Sequence, residues 1–276
     1  LEIPIVQSSD EAVMQRLRKM VQPFVLRRLK ADVLRDLPDK IEKNTFTRLT
    51  GEQQELYDAE VKKLQLMLTQ QSDEDFNTSK IKVLAELTRL RQICCDPGLF
   101  LEGYKGGASK MELAMELIEN AVSGGHKVLL FSQFTSLFPQ LMQKLTASGH
   151  SYYMLTGATK KEERTRMVNA FNQDYTQVFL ISLKAGGTGL NLTGADVVIH
   201  FDPWWNLAVQ DQATDRAHRI GQKRVVNVYK LIAKDTIEEK ILEMQEKKRQ
   251  LSEQLLSGGE MSGTMLTREE LLDLLN

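Results

Sequence analysis

The rhythm of apolar positions changes about a third of the way along this chain. From Ser9 to about Thr88 the pattern reads as mainly helical and polar. Glu52 to Gln71 is rich in helix formers and predicts one helix, with Leu56, Leu64 and Leu68 among its apolar positions. Ile81 to Ile93 predicts another, with Leu84, Leu87 and Leu90 as its stripe; Asp96-Pro97-Gly98 stops it. The polar stretch Gln70 to Ser79 between them reads as a loop tip. Glu102 to Ala108 carries three glycines and reads as a linker.

Beyond that linker, short apolar runs alternate with helical segments. Strands are predicted at 127–131, 152–155, 177–181, 196–201 and 225–231, and helices at 137–147, 160–171 and 206–219. This alternation predicts an α/β fold, a parallel sheet with helices on both faces. In such sheets ligands meet the loops at the carboxyl ends of the strands. A long charged helix from about Thr236 to Leu256, a Gly258-Gly259 break and a short helix from Arg268 close the chain. The expected division is a connector and helical protrusion over 1–105, the sheet domain over 106–234, and C-terminal helices over 235–276.

Composition narrows the classes of function. At 276 residues and 42% hydrophobic content the chain can bury a substantial core. No apolar run is long enough to span a bilayer, and there is no signal peptide. The adjacent Cys94 and Cys95 lack metal spacing and read as packed, reduced thiols of an intracellular protein. With histidines scattered at 126, 150, 200 and 218, no metal site is expected; His200 and His218 read as structural. A net charge of −1 argues against gripping nucleic acid through a global positive field. Local phosphate contacts remain open to the clusters Arg27, Arg28 and Lys30; Lys160, Lys161, Arg164 and Arg166; and Lys223 and Arg224.

The chemistry concentrates in QDQATDRAHRIGQ, residues 210–222. Read as a helix, it places Gln212, Arg216 and Arg219 on one face. Two such arginines make a permanently charged clamp for phosphate oxygens. Gly221 is expected to end the helix in a left-handed conformation. The chain holds no phosphate cradle of the form GxxxxGK[ST]. The nearest decoy, Gly106-Gly107-Ala108-Ser109-Lys110, reads instead as a loop leading to a helix capped by Ser109. Asp73-Glu74-Asp75 reads as a solvated loop. The chain begins at Leu1 without an initiator Met, so it is expected to be part of something longer, the half that reaches toward a nucleotide held elsewhere.

Three polar loops should share the strand-end rim: Ser132-Gln133-Phe134-Thr135, Thr156-Gly157-Ala158-Thr159, and Ser182-Leu183-Lys184-Ala185-Gly186-Gly187-Thr188-Gly189. Glycines in the last allow backbone N–H groups close to a phosphate, and Lys184 and Thr188 add donors. Asp202-Pro203-Trp204-Trp205-Asn206 ends a fourth strand. At least one Trp is expected in the core, the other serving as a platform or wedge against nucleic acid. Asn206 is expected to cap the clamp helix.

At this point KVLLFSQFT, YYMLTGATKKEER, ISLKAGGTGLNLTGADVVIHFDPWWN and QATDRAHRIGQ together resemble successive motifs of the second RecA-like lobe of Swi/Snf-type ATPases, DNA translocases of helicase superfamily two. PFVLRRLKADVLRDLPDK resembles the connector from the first lobe, LRQICCDPGLF a stretch of the helical insertion, and TIEEKILEMQEKKRQL the brace that packs back toward that lobe. The style is closest to bacterial members. Leu207 stands where the family usually has Pro, and Cys95 and Asp96 replace its usual residues before the Pro; all three read as neutral.

The resemblance implies a RecA-like sheet with an N-terminal helical insertion and C-terminal brace helices. It implies ATP and Mg2+ bound mainly by the first lobe, with Arg216 and Arg219 as arginine fingers and Gln212 positioning nucleotide or coupling it to DNA. Gly187, Gly189 and Asp215 would lie on the nucleotide side. Gln133, Thr135, Thr159, Lys160, Lys184, Thr188 and Trp205 would contact one strand of duplex DNA. The implied partners are double-stranded DNA and the first lobe of the same protein, with a monomeric state, no membrane, and a cytoplasmic, nucleoid-associated setting in bacteria or a nuclear one in eukaryotes. The whole enzyme would hydrolyse ATP, and this chain alone would not. Two alternatives stand beside this: a stand-alone nucleic-acid-binding module, and a lobe of a strand-separating helicase. The insertion at 50–95 and the RAHRIGQ wording speak against the second.

Overall fold

A computed structural model describes residues 37–70, 73–185, 189–255, 272 and 275. The described chain groups into two compact units, Leu37–Ile241 with the C-terminal Leu266–Asn276 segment, and a second that includes 242–255. The larger is built on a six-stranded sheet whose pairs are all parallel, in the order β1-β6-β5-β2-β4-β3. Its strands are β1 (Lys40–Arg48), β2 (Val128–Ser132), β3 (Tyr152–Leu155), β4 (Val178–Ser182), β5 (Val197–His200) and β6 (Val226–Lys234). The helices are α1 (Gly51–Gln70), α2 (Asp73–Cys95), α3 (Ser109–Ser123), α4 (Phe138–Ala147), α5 (Lys161–Gln173), α6 (Leu207–Thr214) and α7 (Ile237–Leu255).

The central strands β2, β4 and β5 are buried at every position, as continuous Val/Leu/Ile/Phe runs require when both sheet faces are covered. One face carries Leu130, Leu180 and Ile199 against Met111, Ile118, Phe138 and Leu141 from α3 and α4. The other carries Leu129, Phe179 and Val198 against Val168 and Phe171 from α5 and Ala213 from α6. Alternate residues of each strand thus serve opposite cores, the period-two rule at work.

The strand β1 departs from the mainly helical reading of 9–88. It pairs with β6 over nine positions, from Lys40↔Val226 to Arg48↔Lys234. Its sequence, KIEKNTFTR, carries no buried run because it is an edge strand, and Ile41 and Phe46 stay roughly half exposed. Charged side chains are tolerated there: Glu42 lies 2.5 Å from Lys40 and 2.7 Å from Lys230.

The helical hairpin also differs in detail. Helix α2 begins at Asp73, so the polar stretch 73–79 is helical, not a loop tip. Its buried stripe is Val83, Leu87, Leu90 and Cys94, while Leu84 faces outward, because the 3.6-residue period carries Leu84 past the face that meets Leu64 and Leu68 of α1. Cys94 and Cys95 are free and fully buried, and burial pushes both thiols above their ordinary range. Asp96 ends α2 as expected, its carboxylate accepting the Gly98 N–H at 2.6 Å. Ser109 is the first residue of α3, not its cap; its N–H and hydroxyl donate to Gln53 Oε1. The segment 1–36, with most of the connector and Arg27, Arg28 and Lys30, lies outside the described residues, as do Gly258-Gly259 and most of the terminal segment from Arg268. No described helix is long and apolar enough to cross a membrane.

Candidate functional site

Because all strands run parallel, their carboxyl ends share one edge, and the register brings the loops level. Ser132 pairs with Ser182, Leu155 with Ile181, and Phe131 with His200. The loops that hold Gln133, Thr159, Lys184 and Trp205 therefore leave the sheet side by side, as the strand-end argument requires. Gly187 and Thr188 lie outside the described residues. Thr135, Lys160, Lys184 and Gly189 are exposed along this edge, and Gln133, Thr159, Trp205 and Asp215 are half-buried. Gln133 Nε2 is enclosed and has no hydrogen-bond partner among the described residues.

Asn206 caps α6, accepting the Ala208 N–H at 3.0 Å, with Leu207 as first helical residue. The helix then stops at Thr214, five residues before Arg219. The regular helical face on which Gln212, Arg216 and Arg219 were expected is not formed. The chain tightens into short turns, with Arg216 N–H to Ala213 O at 3.3 Å and Ala217 N–H to Thr214 O at 3.1 Å. The Thr214 hydroxyl at this end lies 2.8 Å from His200 Nε2, inside the core. Gly221 does adopt a positive φ, 104°, but closes this turn region instead of capping α6.

Gln222, to which the sequence reading gave no role, locks the turns in place. Its Nε2 donates to Ala195 O at 2.7 Å, Ala217 O at 3.1 Å and Thr193 O at 3.3 Å, while its Oε1 accepts the N–H groups of Lys223 and Arg224. Leu192 N–H to Arg216 O, 2.9 Å, adds a backbone tie. A buried primary amide saturated on both ends fixes loop geometry strongly. The signal available in sequence was a Gln directly after a turn glycine, which is too common to assign.

Arg216 is the electrostatic oddity of this edge. It is 5% exposed, yet Nε and Nη1 have no hydrogen-bond partner among the described residues. Burial, together with the neighbouring Arg164 and Arg219, lowers its pKa to about 10. It remains charged at neutral pH. Arg164 is held by Ala185 O at 3.0 Å and Thr159 O at 3.3 Å, so two of the rim loops deliver a second guanidinium beside it. Arg219 and Gln212 are exposed. A buried cation without an anion is costly, so the arrangement suits an incoming phosphate. His218 is structural as expected, its Nε2 lying 2.7 Å from Pro38 O. His200 is also structural: burial, with Lys230 nearby, lowers its pKa to about 3.

The tandem tryptophans are both partly exposed, and Trp204 packs against the core on the Leu129 side of the sheet, the mostly buried member that was expected. Arg91, from α2, lies 5.8 Å from each ring. Asp202 is 3% exposed and binds the first rim loop, its Oδ1 accepting Ser132 Oγ at 2.6 Å and Gln133 N–H at 3.2 Å.

Comparison with known proteins agrees with this fold. Residues 109–221 match the helicase conserved C-terminal domain, and residues 1–99 match the SNF2-related domain. The chain is 39% identical over 259 residues to a Mycoplasma pneumoniae protein named "Uncharacterized ATP-dependent helicase", covering 94% of this chain and 25% of that relative. It thus spans about a quarter of that relative's length. The Sulfolobus solfataricus SWI2/SNF2 ATPase C-terminal domain is 34% identical with a TM-score of 0.65, over 80% of this chain and 91% of that one. The core of the same archaeal ATPase, solved in complex with double-stranded DNA, is 36% identical with a TM-score of 0.67, over 89% of this chain and 52% of that one.

Proposed function

The chain belongs to the SWI2/SNF2 ATPase family, and on that premise we propose that it is the second lobe of an ATP-driven translocase on double-stranded DNA. One observation carries this reading: Arg216 is buried, charged and short of partners beside Arg164 and Arg219. In the proposal ATP and Mg2+ are held mainly by a first lobe. Closure of the two lobes brings the γ-phosphate to Arg216 and Arg219, which stabilise the charge that develops during transfer. The residues fit that task, since two Arg216 nitrogens have no partner among the described residues. Gln212 positions nucleotide or couples it to DNA, and Gly187, Gly189 and Asp215 lie toward the nucleotide.

Gln133, Thr135, Thr159, Lys160, Lys184, Thr188 and Trp205 engage one strand of the duplex through its backbone, which positions the protein without reading sequence. Opening and closing of the cleft then moves the lobe along the duplex without separating its strands. The lobe works as a monomer on chromosomal DNA, in the bacterial cytoplasm or in a nucleus. The dsDNA complex of the archaeal relative and the exposed polar rim support this part of the reading.

The test is to assay ATP hydrolysis by this chain with duplex DNA, alone and joined to a lobe that carries a phosphate cradle. We expect turnover only from the joined protein. Robust hydrolysis by the chain alone would refute the proposal, and strand displacement by the joined protein would favour a strand-separating helicase instead.

A further inference from the structure

We infer that Arg91 is a positioning residue through which the α1–α2 hairpin sets the conformation of two rim loops, 132–135 and 202–205. The inference rests on the reading that this rim faces DNA. Arg91 is 3% exposed and comes from the hairpin, not from the sheet domain's own loops. Its Nη2 donates to Pro203 O at 2.5 Å and lies 3.5 Å from Asp202 Oδ2. Its guanidinium lies 5.6 Å from the Phe134 ring and 5.8 Å from the rings of Trp204 and Trp205. Asp202 carries the connection onward, because its other oxygen binds Ser132 and Gln133. One buried cation thus touches aromatic groups from both loops and balances the carboxylate that joins them.

The chemistry favours arginine specifically. A planar guanidinium can stack on aromatic faces while its edge donates to a carbonyl, and an ammonium cannot do both. The Arg91 Nε is enclosed without a partner, so the site tolerates an unmet donor to keep this plane among the rings. Stability alone does not call for that arrangement, since a lysine would also balance the Asp202 carboxylate. Positioning of the Trp loop does.

The chain offers a direct probe, because its two tryptophans are both Arg91 contacts. We would measure tryptophan emission, acrylamide quenching, thermal melting and affinity for a random-sequence duplex for the wild type, Arg91→Lys and Arg91→Met. Arg91→Lys keeps the charge beside Asp202, so it should fold with near-native melting even if Arg91→Met does not. We expect quenching to rise and duplex affinity to fall about tenfold in Arg91→Lys, with a further fall in any folded Arg91→Met. In a joined, DNA-stimulated enzyme the half-saturating duplex concentration should rise while the DNA-free rate holds. Unchanged quenching, or altered quenching with native affinity, would overturn the inference. Failure of the wild type itself to bind duplex would instead refute the functional reading, with quenching still deciding whether Arg91 holds the loop.

Discussion

Two buried cations of this protein are treated in opposite ways. Lys110 is fully enclosed and meets both carboxylate oxygens of Glu238, at 2.7 and 2.8 Å. Glu238 also accepts the Ala233 N–H at 2.9 Å. The pair ties α3 to the start of α7, and Tyr57 completes the junction by accepting the Ile237 N–H at 2.7 Å. Arg216 is nearly as buried, but its charged neighbours are cations and two of its nitrogens have no partner among the described residues. The first arrangement is complete within the fold. On the proposed reading, the second becomes complete when an anion arrives, and burial of charge separates the two kinds of residue only when partners are counted.

Four experiments sharpen that contrast. The largest effect on stability should come from Lys110→Met, which strands Glu238 and should cost about 3–5 kcal/mol in urea unfolding. Adding Glu238→Leu should regain most of that loss, because an apolar pair replaces an ion pair whose desolvation was already expensive. A double variant no more stable than the single one would show that Glu238 works chiefly through Ala233.

The third concerns His200, buried as a neutral group. Its folded pKa of about 3 lies below the unfolded value of 6.5. Its contribution is therefore complete above pH 6.5 and is lost as pH falls toward 3, by up to about 1.4 kcal/mol per pH unit. His200→Gln should flatten the acid limb of a stability-versus-pH curve, and an unchanged limb would place the acid sensitivity elsewhere.

The smallest effect is expected of Arg216→Met. Removing an unpaired buried charge should leave stability within about 1 kcal/mol of the wild type or raise it. A large loss would mean that Arg216 is a structural cation like Lys110.

The sheet was legible where both faces are buried. Val128–Ser132, Val178–Ser182 and Val197–His200 are continuous apolar runs, and such runs announce themselves. Strand β1 was not legible, since an edge strand with exposed faces shows no burial pattern and is defined by its partner β6. Likewise, 3.6-residue spacing through QATDRAHRIGQ drew Arg216 and Arg219 to notice but gave the wrong local geometry. Helix α6 ends at Thr214, and the turns that follow are tied by Leu192 N–H to Arg216 O and by Gln222, contacts made across the fold. The roles of Arg91 and Gln222 were hidden for the same reason, because their partners come from segments that only the fold brings near.

The central claim is that Arg216 awaits a phosphate, and the direct measurement is DNA-stimulated ATP hydrolysis by the chain joined to a nucleotide-binding lobe, with and without Arg216→Met. The account predicts a fall of about 10³ to 10⁵ in turnover, with melting temperature and duplex affinity near those of the wild type. Turnover within roughly tenfold of the wild type, in a folded variant that binds duplex normally, would contradict it.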